Sequence, residues 1–99
     1  MDVEVNGMTL EDCRSYIGNI DKDIKKLLEE RFRACGTVAK IKALSDDNTV
    51  LNNAVEEKKL EEIAKSSDDR FATMNIEVFK KIMEMSRNWQ YQVIGNINI

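Results

Sequence analysis

Arg31 holds a position that an apolar residue should hold. From Leu10 to Leu44, apolar side chains recur at Leu10, Cys13, Ile17, Ile20, Ile24, Leu27, Ala34, Val38 and Ile41. The steps of three and four mark one helix face. Arg31 stands four past Leu27 and three before Ala34, inside that stripe. A cation on an inward face is costly unless an anion meets it. The stripe therefore calls for a buried ion pair or for an anionic ligand. Lys42 follows eleven residues later; eleven helical steps return to within about 20° of the same face, about 16 Å along the axis. Two flexible cations can converge from there on one small anion. Arg14 lies roughly 100° round and about 25 Å before Arg31, so it does not easily serve that site from the same chain, whereas an antiparallel second chain could bring its copy there.

The other apolar seams are interrupted in the same way. Ser86 and Gln90 are four apart and fall in the seam made by Ile76, Phe79, Met83, Trp89 and Val93, on one helix face. Asn52 and Glu56 are also four apart, and Glu56 precedes Leu60 by four and Ile63 by seven. Inward polar residues can simply specify register in a helical bundle. Six of them on three helices, with cations on one side and hydrogen-bonding groups on the other, read instead as a pocket for a small anion.

The elements that must position these groups are all helical. Thr9 is suited to cap a first helix, with Asp12 three residues on as its capping-box partner; residues 1–8 read as a loose start. The apolar seam stays in phase through Gly18 and Gly36, each costing about 1 kcal/mol relative to alanine. The first helix is therefore expected to run as one piece over about 9–44, ending at Ser45-Asp46-Asp47-Asn48. A second is expected over about 49–65 and a third over about 75–94, capped by Asn75 and stopped by Gly95. The fold class is all-α, one helical domain over 1–99. Thirty-six helical residues make roughly 54 Å, whereas a compact chain of this size has a radius of gyration near 13 Å. A seam of that length is best covered by a second copy, which predicts an intertwined helical homodimer.

Composition narrows the chemistry. The chain has 99 residues, 33% charged and 42% hydrophobic, with a net charge of −3. The acidic balance argues against nucleic acid or an anionic membrane as partner. No apolar run approaches the ~18 residues of a membrane span, and the N-terminus has no signal-peptide core; the expected location is the cytoplasm. Histidine is absent, which removes Ser-His and Cys-His catalysis and most zinc, copper and non-haem iron sites. Cys13 and Cys35 lie about 33 Å apart on the expected helix, beyond the ~7 Å reach of a disulfide, and read as small apolar fillers. No metal or cofactor is expected.

The stretch LEDCRSYIGNIDKDIKKLLEERFRACGTVAKIKAL resembles the first helix of the all-α chorismate mutases. That family carries an early arginine, here Arg14, an I-D-x-x-I-x-x-L-L-x-E-R core, here Ile20 to Arg31, and a V-x-x-x-K end, here Val38 with Lys42. The segment FKKIMEMSRNWQ resembles the family's third helix, with its serine and glutamine at Ser86 and Gln90. The resemblance spans about residues 9–94. It implies a domain-swapped dimer of three-helix chains with shared sites, and rearrangement of chorismate to prephenate on the way to phenylalanine and tyrosine. It further implies that Arg31 and the partner chain's copy of Arg14 hold the two carboxylates. Lys42 would contact a carboxylate and the ether oxygen, to which Gln90 also donates. Glu56 and Asn52 would take the ring hydroxyl, and Ser86 would assist at a carboxylate. Catalysis would rest on Lys42, Gln90, Arg31 and Glu56.

These residue types suit a pericyclic shift, which needs no nucleophile, metal or cofactor. It gains from holding a dianion in a compact geometry and from donors aimed at the oxygen where negative charge grows. One departure stands out. The family's second helix carries an aspartate and then Arg-Glu, and matching Glu56 to that glutamate sets Asn52 at the aspartate and Val55 at the arginine. Valine replaces no guanidinium, so weaker activity or a compensating cation is expected. An isochorismate–pyruvate lyase on the same fold, or a noncatalytic helical dimerisation module, are the alternative functions.

Overall fold

The computed structural model describes residues 3–97. It contains three helices, α1 (Leu10–Leu44), α2 (Asn53–Ser66) and α3 (Ala72–Ile97). Among the described residues there is no strand beyond an isolated bridge between Val5 and Met8. That bridge closes a tight turn in which Asn6 and Gly7 both have positive φ, 54° and 77°, the backbone that asparagine and glycine tolerate best. The loose start read for residues 1–8 is thus partly a turn; Met1 and Asp2 lie outside the described residues. The chain divides into two compact units, one through Arg33 and one from Ala34 onward.

In the first unit, α1 starts with the expected capping box. Thr9 N–H donates to Asp12 Oδ2 at 2.9 Å, and Asp12 N–H donates to Thr9 Oγ1 at 3.1 Å. Two of the helix's orphan donor positions are satisfied reciprocally. The apolar stripe that follows is open to solvent in this single chain: Ile17, Ile20, Ile24 and Leu27 are 40–63% exposed.

In the second unit, α1 ends in a Schellman motif. Asp47 N–H reaches the Lys42 carbonyl at 2.8 Å and Asp46 N–H the Ala43 carbonyl at 3.1 Å, with Asp46 left-handed at φ 58°. The aspartate takes the place that glycine usually holds. Helix α2 starts later than the expected residue 49 because Asn52 is its cap: Asn52 Oδ1 accepts from Val55 N–H at 3.2 Å. Helix α3 starts earlier than residue 75. Phe71 N–H bonds to the Asp68 carbonyl, closing the turn before Ala72. Asn75 is not a cap; it lies in the first turn, where its amide donates to Ser67 Oγ at 2.9 Å. Gly95 does not stop α3, which continues to Ile97.

Helices α2 and α3 pack against each other. Their loop is tied by Ser67, which donates to the Ile63 carbonyl, and by the Asp68–Arg70 ion pair. The buried centre consists of Gly36 and Ala39 from α1 with Met83, Ser86 and Val93 from α3. Gly36 has a geometric reason to be glycine: a Cβ there would lie 2.8 Å from Trp89 Nε1 and 3.6 Å from Val93 Cγ2.

Candidate active site

In the second unit, α3 is tied to α1 through Gln90 and to α2 through Arg87. Gln90 Nε2 donates to the main-chain carbonyl of Cys35 on α1 at 3.0 Å. That carbonyl lies one residue before Gly36, at the contact with Trp89. A primary amide has two N–H donors; the bond to Cys35 uses one and fixes the plane of the other. Ser86, one turn earlier on α3, is 5% exposed. Its hydroxyl donates back to the Ile82 carbonyl at 2.8 Å.

Glu56 lies in the first turn of α2, as expected for a residue four past the cap. Its Oε1 meets Arg87 Nη1 of α3 at 2.5 Å, with both side chains largely covered. Arg87 escaped the sequence reading because it follows Ser86 directly and so falls outside the strict seam. The signal that points to it is the missing cation at Val55, which is exposed and apolar. Asn52 stands one turn before Glu56, with its amide oxygen committed to the cap.

Lys42 is in the last turn of α1. Its Nζ donates to the Thr49 carbonyl and lies 4.0 Å from Asp47 Oδ2. Asp47 in turn accepts from Thr49 N–H at 2.9 Å. That backbone hydrogen bond, then the Thr49 side chain, and to a lesser degree the Lys42 charge, hold the Asp47 carboxyl below its ordinary range. The loop after α1 thus offers Lys42 an anionic partner while leaving its side chain 30% exposed. Arg14 and Arg31 belong to the first unit; Arg14 is exposed and Arg31 half-buried.

The second unit offers hydrogen-bond donors together with a carboxylate, that of Glu56, held between α2 and α3. Among the described residues, no cluster of histidine, cysteine or acidic side chains has the geometry to hold a metal ion, and no helix is long and apolar enough to cross a membrane. No curated protein and no solved structure matches this chain. Residues 13–91 match the family model described as chorismate mutase type II, a span running from just before Arg14 to just past Gln90. The chain therefore belongs to the chorismate mutase type II family and is an enzyme, a chorismate mutase that isomerises chorismate.

Proposed function

We propose that this chain works as a homodimer of one helical domain per copy, in the cytoplasm, converting chorismate to prephenate for phenylalanine and tyrosine synthesis. Its sites are shared between the two copies. The support for a second copy is the stripe of Ile17, Ile20, Ile24 and Leu27, 40–63% exposed in the single chain. Covering side chains of this kind is worth about 1.5–3 kcal/mol each, which favours a matching stripe from another α1. In such a dimer Arg31 and the partner subunit's Arg14 clamp the substrate's two carboxylates, and arginine's planar fork suits both.

The observation that carries the site is the Gln90–Cys35 hydrogen bond. It sets the glutamine's second N–H in advance, so the donor to the ether oxygen costs little reorganisation when the C–O bond breaks. Lys42 supplies the second donor to that oxygen and to a carboxylate, leaving the Thr49 carbonyl to do so. Glu56 accepts from the ring hydroxyl. Asn52 assists with its amide N–H2, since its oxygen caps α2. Ser86 turns its hydroxyl from Ile82 to a substrate carboxylate. The protein contributes positioning and charge stabilisation, and the bond rearrangement is the substrate's own.

The test is direct. Purified protein should consume chorismate and release prephenate, and Lys42→Ala should lower kcat/KM by about a thousandfold or more with an unchanged helical spectrum. A near-wild-type rate for that variant removes Lys42 from the site.

A further inference from the structure

The ion pair between Glu56 and Arg87 differs from its neighbours. Lys59–Glu62, Lys80–Glu77 and Lys81–Glu84 are pairs three residues apart along single helices, each side chain about half exposed or more. Arg87 and Glu56 are 31 residues apart in sequence and join α3 to α2, with 26% and 23% of their side chains exposed. An ordinary surface pair contributes little to stability, because ordering two long side chains offsets the attraction. A pair drawn partly out of water is worth its cost where the fixed position of a charge matters.

Arg87 is next to the buried Ser86 and three residues before Gln90, so it shares the turn of α3 that carries the proposed site. Helix α2 supplies no cation of its own to Glu56. Val55 is apolar, Lys58 is two residues away and does not share its face, and Lys59 pairs with Glu62. The guanidinium engages Oε1 through Nη1, and a carboxylate keeps acceptor capacity on its second oxygen.

We infer that Arg87 is a positioning residue for the mutase reaction: it holds Glu56 by one oxygen so that the other meets the hydroxyl of the bound dianion. The inference rests on the reading of Glu56 as a substrate contact. The hydroxyl is remote from the breaking bond, so this interaction acts on the ground state and the transition state alike. Its loss therefore appears in KM and leaves kcat nearly unchanged.

The experiment measures kcat, KM and thermal melting for full-length Glu56→Gln, Arg87→Met, Arg87→Lys and the Glu56→Gln/Arg87→Met pair. Arg87→Met should raise KM about 10- to 100-fold with kcat within about threefold. Arg87→Lys, which keeps the charge, should recover most of that loss. The double variant should be no worse than Glu56→Gln alone. Because KM does not depend on the fraction of folded enzyme, partial unfolding of a variant leaves the measurement intact. Wild-type KM for Arg87→Met, a fall in kcat and melting temperature at constant KM, or additive losses in the double variant would overturn the role of Arg87. Wild-type KM for Glu56→Gln removes Glu56 itself from the site, a failure of the underlying reading that the single variant identifies separately.

Discussion

The indole nitrogen of Trp89 lies 2.8 Å from where a side chain on Gly36 would begin. The next residue after Trp89 is Gln90, and the residue before Gly36 is Cys35, whose carbonyl receives the Gln90 amide at 3.0 Å. Close approach of α1 and α3 and the orientation of the Gln90 amide are thus neighbouring contacts. A Cβ on Gly36 would press on the Trp89 ring directly beside that hydrogen bond.

Gly36→Ala tests that coupling. Alanine adds about 1 kcal/mol of helix propensity, but its methyl would lie 2.8 Å from Trp89 Nε1, and relieving that overlap costs about 1–3 kcal/mol. The expected result is a net loss of about 1 kcal/mol, a shifted Trp89 emission maximum and a lower kcat. Gly18 is the control: no atom lies within 4 Å of its Cβ position, so Gly18→Ala should raise the melting temperature. If both substitutions stabilise equally, the Gly36–Trp89 contact does not restrain the helices.

Acid should weaken the fold through its turn aspartates. The Thr9 backbone N–H, followed by the Thr9 hydroxyl, holds the Asp12 carboxyl below its ordinary value of 3.8. Thr49 does the same for Asp47, and the Arg70 side chain for Asp68. A carboxyl with a depressed folded pKa contributes its full stability above the unfolded value, and loses it as pH falls through the folded value. Melting temperature should therefore be level from neutrality to about pH 5 and fall below about pH 4. Asp12→Ala should lower the neutral melting temperature and flatten that acid slope; an unchanged slope would leave the capping box with no part in it.

Gln90→Glu should convert a pH-independent enzyme into an acid-dependent one. The wild-type amide has no titration, so activity should be nearly flat between about pH 6 and 9. A carboxylate at the same position cannot donate, and it faces the Cys35 carbonyl oxygen. The expected loss of kcat/KM at neutral pH is about 100- to 1000-fold, with recovery as acid restores one O–H donor. A variant whose residual activity ignores pH would show that residue 90 is no donor to the substrate.

Much of this was legible in the sequence, for reasons that differ by residue. The Thr9–Asp12 box and the three helices follow from local chemistry, because caps and periodicity act within one or two turns. Asn75 marks the limit of that local chemistry: the turn closed by Asp68 and Phe71 starts α3 before this good cap residue, and its amide donates to Ser67 instead. Gly36 looked like a local cost, and only the approach of Trp89 explains it. The Arg87–Glu56 pair spans 31 residues, a distance over which periodicity carries no information. Arg31 stands out because a charge in an apolar stripe contradicts its surroundings, and Lys42 because it shares that face.

A site shared between two copies, as proposed, makes the sharpest prediction. If each site takes Arg31 from one copy and Arg14 from the other, Arg14→Ala and Arg31→Ala homodimers are both inactive. When the two are unfolded together and refolded, random pairing makes about half of the dimers mixed. In a mixed dimer one site collects both substitutions. The other has Arg31 from the Arg14→Ala chain and Arg14 from the Arg31→Ala chain, and is intact. About a quarter of all sites should regain activity, with wild-type KM, since the restored sites carry every native side chain. The same mixture held folded, without exchange of chains, should stay inactive. If the refolded mixture stays inactive as well, both arginines serve the site of their own copy, and the apolar stripe of α1 must be covered in some other register.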